Sequence, residues 1–384
     1  MKGRRMITLI AICVLLLGTA VGCTGADKDS SIVIGGILSL TGKSPIYGSS
    51  ASNGIKLAIK QVNESGGVLG KRIEYIQLDD QGVGKKAEEA YKELKKQKVL
   101  GIIGAVKTEP GLALAQISKK DGIPIITPCA SPAEITTYGN NLFRVCFIDP
   151  YQSREMASFA YETLKARKFA IFYEFSDIYS GGSARLFGEK AEALGAKDVY
   201  YKSFSAEDTD FSVQLGQIKR NEPDVMYVPT SYESFLAIVM QARKMGIEAI
   251  FLGNDGTEGV LSIANAEQKA LLEGVYFSTH YLAGYGNDKS KEFDKAYEQE
   301  YGTLPDSFAA LGYDAAMLML SSIQKAGEPK RDKVIKEIDS SQTLGVTGPI
   351  NLDTLGDPKN KPIFIIKISG GQYTLQSLVA PNLS

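Results

Sequence analysis

Histidine is almost missing: His280 is the only one in 384 residues. A Ser-His-Asp or Cys-His nucleophilic site would have to use it, and a histidine-based metal site would have a single imidazole. Nothing near Cys129 or Ser131 in sequence can act as a base, so neither catalysis, nor a metal, nor a cofactor is expected. Cysteine is sparse too. Of the four, Cys13 lies in an N-terminal apolar run and Cys23 just beyond it. Cys129 and Cys146 read as two buried thiols, with a disulfide between them as the alternative.

Charge of one sign is also lacking. Lys and Arg number 43 against 44 Asp and Glu, interspersed along the chain, which excludes the basic face that nucleic-acid binding needs. The one long apolar run, Ile7–Leu17, is too short to span a bilayer comfortably. No repeat, low-complexity block or Pro/Ser-rich linker occurs. A phosphate loop is excluded by spacing: five residues separate Gly36 from Gly42 where that motif needs four. The glycine pattern of a dinucleotide site is missing as well.

What is present begins with a targeting segment, residues 1–23. Lys2, Arg4 and Arg5 precede the apolar run, and Gly18–Gly22 supplies small residues before Cys23. This end is similar to a bacterial lipobox, with Ala20 where Leu is more usual. Cys23 is therefore expected to carry a lipid anchor, the alternative being ordinary signal cleavage. Residues 24–31, small and polar, read as a tether. Losing the three leader cations takes the formal charge from −1 to about −4.

The rest is organised around Val99–Glu134. Two short apolar runs, Val99–Ile103 and Ile123–Ile126, each give way to small and hydroxyl residues, and a helical spacing fills Gly111–Lys120. That is strand, loop, helix, strand, loop, the unit of a parallel sheet covered by helices. The same alternation runs from Ser31–Leu40 through a loop at Thr41–Ser50 and a helix at Ala51–Asn63. It restarts after Asp149-Pro150 and closes on a β-hairpin around Gly370-Gly371. Two doubly wound α/β lobes are expected, with the ligand crevice beyond the carboxyl ends of the strands.

Thr108 and Ser131 fall in that crevice. Hydroxyls and free N–H groups at helix starts suit a ligand carboxylate. Asp255, after the apolar run Ala249–Gly253, suits an ammonium, with the Cys129 carbonyl beside it. The bland alternatives are helix caps for Thr108 and Ser131 and an Asx turn for Asp255. Tyr47, Tyr179 and Tyr232 follow strands, where a ring can wall a pocket.

In order and spacing, several stretches resemble the leucine/isoleucine/valine-binding proteins, type I periplasmic binding proteins that serve ABC importers. They are IGGILSLTGKSPIYG, Asn53-Gly54, Val62-Asn63 with Gly66-Gly67, and Asp79-Asp80. Further on come GIPIITPCASP, Phe143-Arg144, Tyr179-Ser180-Gly181, Asp210–Ser212 and Gly253–Gly256. The resemblance covers Ser31 to the end. It implies a type I periplasmic binding protein fold, two Rossmann-like lobes joined by a three-crossing hinge near Ile148–Asp149, Val275–Thr279 and Val346–Leu352. One lobe would comprise 32–148 with 278–347, the other 149–277 with 348–384. It implies an amino-acid ligand held by Thr108, Cys129, Ala130, Ser131 and Asp255, with Tyr47, Tyr179 and Tyr232 around it. It also implies ABC permease partners, an exported monomer, and membrane contact through the lipid alone.

Gly82 and Lys107 stand where enterobacterial members have a disulfide. Lys107 is either solvated or an added cation that widens the choice toward acidic ligands. A different small solute (an amide, a urea-like compound, an aromatic or other carboxylate) or a sensor role remains open.

Overall fold

The computed structural model describes residues 31–380. The leader, Cys23 and the tether up to residue 30 lie outside them. Among the described residues, no helix is long and apolar enough to cross a membrane.

The first half runs β1 (Ile32–Leu38), α1 (Pro45–Glu64), β2 (Ile73–Asp79), α2 (Gly84–Lys96), β3 (Gly101–Gly104), α3 (Thr108–Ser118), β4 (Ile125–Thr127), a 3₁₀ turn at Ala133–Tyr138 and β5 (Leu142–Arg144). The second runs α4 (Asp149–Ser158), extended by a π turn to Thr163, β6 (Lys168–Glu174), α5 (Ile178–Ala193), β7 (Asp198–Phe204), α6 (Ser212–Arg220), β8 (Val225–Tyr227), α7 (Tyr232–Lys244) and β9 (Ile250–Gly253). There follow α8 (Val260–Ile263), α9 (Ala266–Leu271), β10 (Tyr276–Thr279), α10 (Asp288–Tyr301), α11 (Ser307–Ala326) and α12 (Arg331–Asp339). The chain ends with β11 (Gln342–Gly345), β12 (Gly348–Leu352), β13 (Pro358–Lys359), β14 (Ile363–Ser369) and β15 (Gln372–Val379).

One sheet has the order β2-β1-β3-β4-β5, all parallel. The other, β15-β14-β10-β9-β8-β6-β7, repeats that winding in β7-β6-β8-β9-β10 and adds the antiparallel terminal hairpin at its edge. Central strands such as β3 and β8 are buried along their whole length, which is why they read as unbroken apolar runs.

Three expectations shift. The loop after β1 ends at Pro45, not Ser50, because Pro at the first helical position has the helical φ and no N–H to satisfy. The chain does not enter the second sheet at Val346–Leu352. β11–β13 form a small sheet beside β5, where Arg144 N–H donates to Gly356 O at 3.1 Å, and the chain enters the large sheet at Ile363. The expected boundary at residue 278 falls inside β10, which stays paired with β14 through Thr279.

Helices α1 and α11 pack backbone to backbone. A Cβ on Gly54 would lie 1.9 Å from Ala309 O, and one on Gly312 2.2 Å from Ala51 O. This contact brings Phe308 onto the Tyr47 ring, stacked at 4.5 Å.

Candidate functional site

A cavity of about 760 Å³ lies between the two sheets. Its wall is built almost wholly from residues at or just after strand ends: Lys43 and Tyr47 after β1, Gln81–Val83 after β2, Val106–Glu109 after β3, Cys129–Ser131 after β4, Glu174 and Ser176–Tyr179 at the end of β6, Ala206-Glu207 after β7, Ser231 after β8, and Asp255-Gly256 after β9. Phe308 is the exception. Both sheets thus aim the carboxyl ends of their strands at one gap, where their winding reverses.

Thr108 opens α3, whose N-cap residue makes no side-chain cap. Its hydroxyl and the free N–H groups of the first turn therefore stand at the positive end of the helix. Thr127 ties this loop to the next: its hydroxyl donates to Ala105 O at 2.6 Å and accepts from Ala130 N at 3.1 Å. The β4 loop is held from behind by Arg144, which is fully buried. Its guanidinium donates to Ala130 O (3.2 Å), Pro132 O (2.9 Å) and Thr136 Oγ1 (3.3 Å), and pairs with Asp357 at 2.5 Å. Cys129 and Cys146 are both buried and free, and burial pushes each thiol pKa up.

Asp255 enters from the other lobe. Its Oδ1 accepts from Tyr179 Oη (2.7 Å) and Gln152 Nε2 (3.0 Å), and His280 Nε2 lies 3.3 Å from Oδ2. Burial alone would raise its pKa, but His280, Tyr179 and Gln152 outweigh that and hold it below the ordinary carboxylate value. Burial depresses the His280 pKa against the opposing pull of Asp255, and since a carboxylate only accepts, the ring serves Asp255 as a hydrogen-bond donor from Nε2. Its Nδ1 has no partner among the described residues. Behind them Gln152 also donates to Asp149 Oδ1 at 2.8 Å. Burial, with Asp255 nearby, lifts the Asp149 pKa to about 7.

Seven of the eight sequence-predicted residues therefore line one cavity: Tyr47, Thr108, Cys129, Ala130, Ser131, Tyr179 and Asp255. Tyr232 does not. It lies behind Tyr47, ring edge to ring face at 5.2 Å, while its backbone N–H donates to Tyr47 Oη at 3.3 Å. Tyr47 Oη in turn donates to Gly256 O across the cleft. Arg144, Gln152, His280 and Ser231 were missed as site residues. Asp357, the carboxylate that Arg144 bonds, lies 213 residues away, while Asp255 lies 103 residues from Gln152 and 25 from His280, and no local pattern marks any of the four. Among the described residues, no cluster of three or more His, Cys, Asp or Glu is placed to hold a metal ion.

Residues 31–372 match the family model described as periplasmic binding protein. The leucine-, isoleucine-, valine-, threonine- and alanine-binding protein of Pseudomonas aeruginosa is 26% identical over 364 residues, 94% of this chain and 95% of that one. The solved leucine-binding protein LivK of Thermotoga maritima is 32% identical, with a TM-score of 0.85, over 91% of this chain and 99% of that one. The branched-chain amino acid transporter substrate-binding protein LivJ of Streptococcus pneumoniae, solved with isoleucine, is 26% identical with a TM-score of 0.84. That match covers 92% of this chain and all of the other.

Proposed function

The chain belongs to the periplasmic binding protein family, in its branched-chain amino acid ABC transporter branch, and we propose that it captures an amino acid between its lobes for an ABC permease. The observation that carries this reading is the convergence on one cavity of Thr108 and Ser131 from one lobe and Asp255 from the other. A zwitterion fits that division. Its carboxylate takes the hydroxyls and the α3 N-terminus, and its ammonium takes Asp255 and the Cys129 carbonyl. Each charge-assisted bond contributes about 1.5–3 kcal/mol.

Oδ2 of Asp255 keeps room for such a donor, since among the described residues its one partner is His280. Hinge closure buries the ligand, and the ligand favours closure only by binding the closed form better. Cys23 tethers the receptor to the outer face of the membrane as a lipid anchor, and the permease reads the closed monomer.

Thermal shift against the twenty amino acids tests the reading. A ligand at 100 times its Kd adds about 2.7 kcal/mol of stability. Silence across the panel contradicts it.

A further inference from the structure

The cavity is larger than its anchoring end needs, and the remainder is not lined as a hydrocarbon pocket. Val83, Val106 and Ile178 are interrupted by Gln81, Lys107, Ser176 and Asp177. Two of these groups have unused hydrogen-bonding capacity. The Lys107 ammonium has three donors, of which one reaches Lys43 O at 3.4 Å. Among the described residues no carboxylate comes within ion-pairing reach of it. Asp177, from the opposite lobe, spends Oδ1 on capping α5 through Tyr179 N–H at 3.1 Å. Its Oδ2 has no donor among the described residues.

Both groups are half-buried. Burial lowers the Lys107 pKa, with Asp177, Lys43, Glu233 and Asp80 the charges around it. Burial and Glu174 raise that of Asp177. Polar groups left unmatched where the closed cleft limits access of water cost free energy, so the closed cavity favours a ligand that pairs both.

Resting on the amino-acid reading above, we propose that Lys107 and Asp177 form a side-chain subsite selecting amino acids that end in a carboxamide or ureido group. The carbonyl oxygen of such a group accepts from Lys107 Nζ, and its NH₂ donates to Asp177 Oδ2. A terminal carboxylate satisfies Lys107 but faces Asp177 and Glu174. A terminal cation does the reverse against Lys107 and Lys43. A branched hydrocarbon leaves both groups unpaired.

The test is titration calorimetry of the full receptor with L-glutamine, L-citrulline, L-glutamate and L-leucine, repeated on Lys107→Met and Asp177→Asn, the latter keeping a side-chain oxygen for the cap. Glutamine or citrulline is expected to bind at least about tenfold more tightly than leucine or glutamate, about 1.4 kcal/mol. Each substitution is expected to shrink that preference to under about threefold, about 0.7 kcal/mol, while leaving leucine binding in place. Leucine or glutamate binding as tightly as glutamine in the parent protein overturns the subsite and leaves the amino-acid reading standing. So does a variant that weakens all four ligands equally. If none of the four binds and the twenty-residue panel is silent as well, the amino-acid reading falls and the subsite with it.

Discussion

Ser44 and Glu233, from opposite sides of the cleft, are joined by two hydrogen bonds: Ser44 N–H to Oε1 at 2.9 Å and Ser44 Oγ to Oε2 at 2.7 Å. Beside them Lys43 Nζ donates to Glu174 Oε2 at 3.1 Å. The conformation is thus the closed one, and these contacts belong to it. Apparent affinity scales with the closed population. Glu233→Ala is expected to weaken ligand binding about tenfold, about 1.4 kcal/mol for two half-buried charge-assisted bonds. Calorimetry reads the affinity, and small-angle scattering reads the opening of the unliganded protein. An unchanged affinity contradicts the latch.

Arg144 positions the β4 loop rather than touching ligand. Arg144→Met leaves Asp357 without its partner and strips donors from Ala130 O and Pro132 O. Breaking a buried pair from one side costs about 3–5 kcal/mol. The lower end is expected here, because the Asp357 side chain retains 11% exposure. Urea unfolding checks it, and Asp357→Asn in the same chain is expected to recover part of the loss.

Stability is expected to fall as pH rises through neutrality. Burial, with Asp306 beside it, lifts the Glu258 pKa to about 8, and Asp149 stands at about 7. An acid raised by folding holds its proton in the native state after the unfolded chain has lost it. Below about pH 4 both states are protonated and the groups contribute nothing. Above that the native state loses stability relative to the unfolded one, until pH passes each folded pKa. The melting temperature is therefore expected to drop between roughly pH 4 and 8. Glu258→Gln flattens the upper part of the fall. An identical slope in that variant removes Glu258 from the account.

The scaffold was legible because buried parallel strands announce themselves as apolar runs, and the crevice follows from where those runs end. Thr108, Ser131 and Asp255 could be placed from that rule alone. Tyr232 could not be told from Tyr47, since both follow a strand and only packing decides which ring faces the gap. The start of α1 was placed at Ala51, six residues late, because the polar, small residues after Pro45 read as loop although Pro45 opens the helix. Gln152, His280 and Arg144 were illegible for another reason. Their bonds to Asp255 and Asp357 span separations of 103, 25 and 213 residues, and one sequence carries no sign of such pairings.

The central claim, an amine gripped by Asp255, is tested most directly by deleting the amine from the ligand and the charge from the protein together. The bound amino acid and its deaminated analogue are titrated into the parent protein and into Asp255→Asn. The parent is expected to bind the analogue about 10–100-fold more weakly, the worth of one charge-assisted bond, and the variant to bind both nearly alike. Undiminished discrimination in Asp255→Asn would mean that the ammonium sits elsewhere.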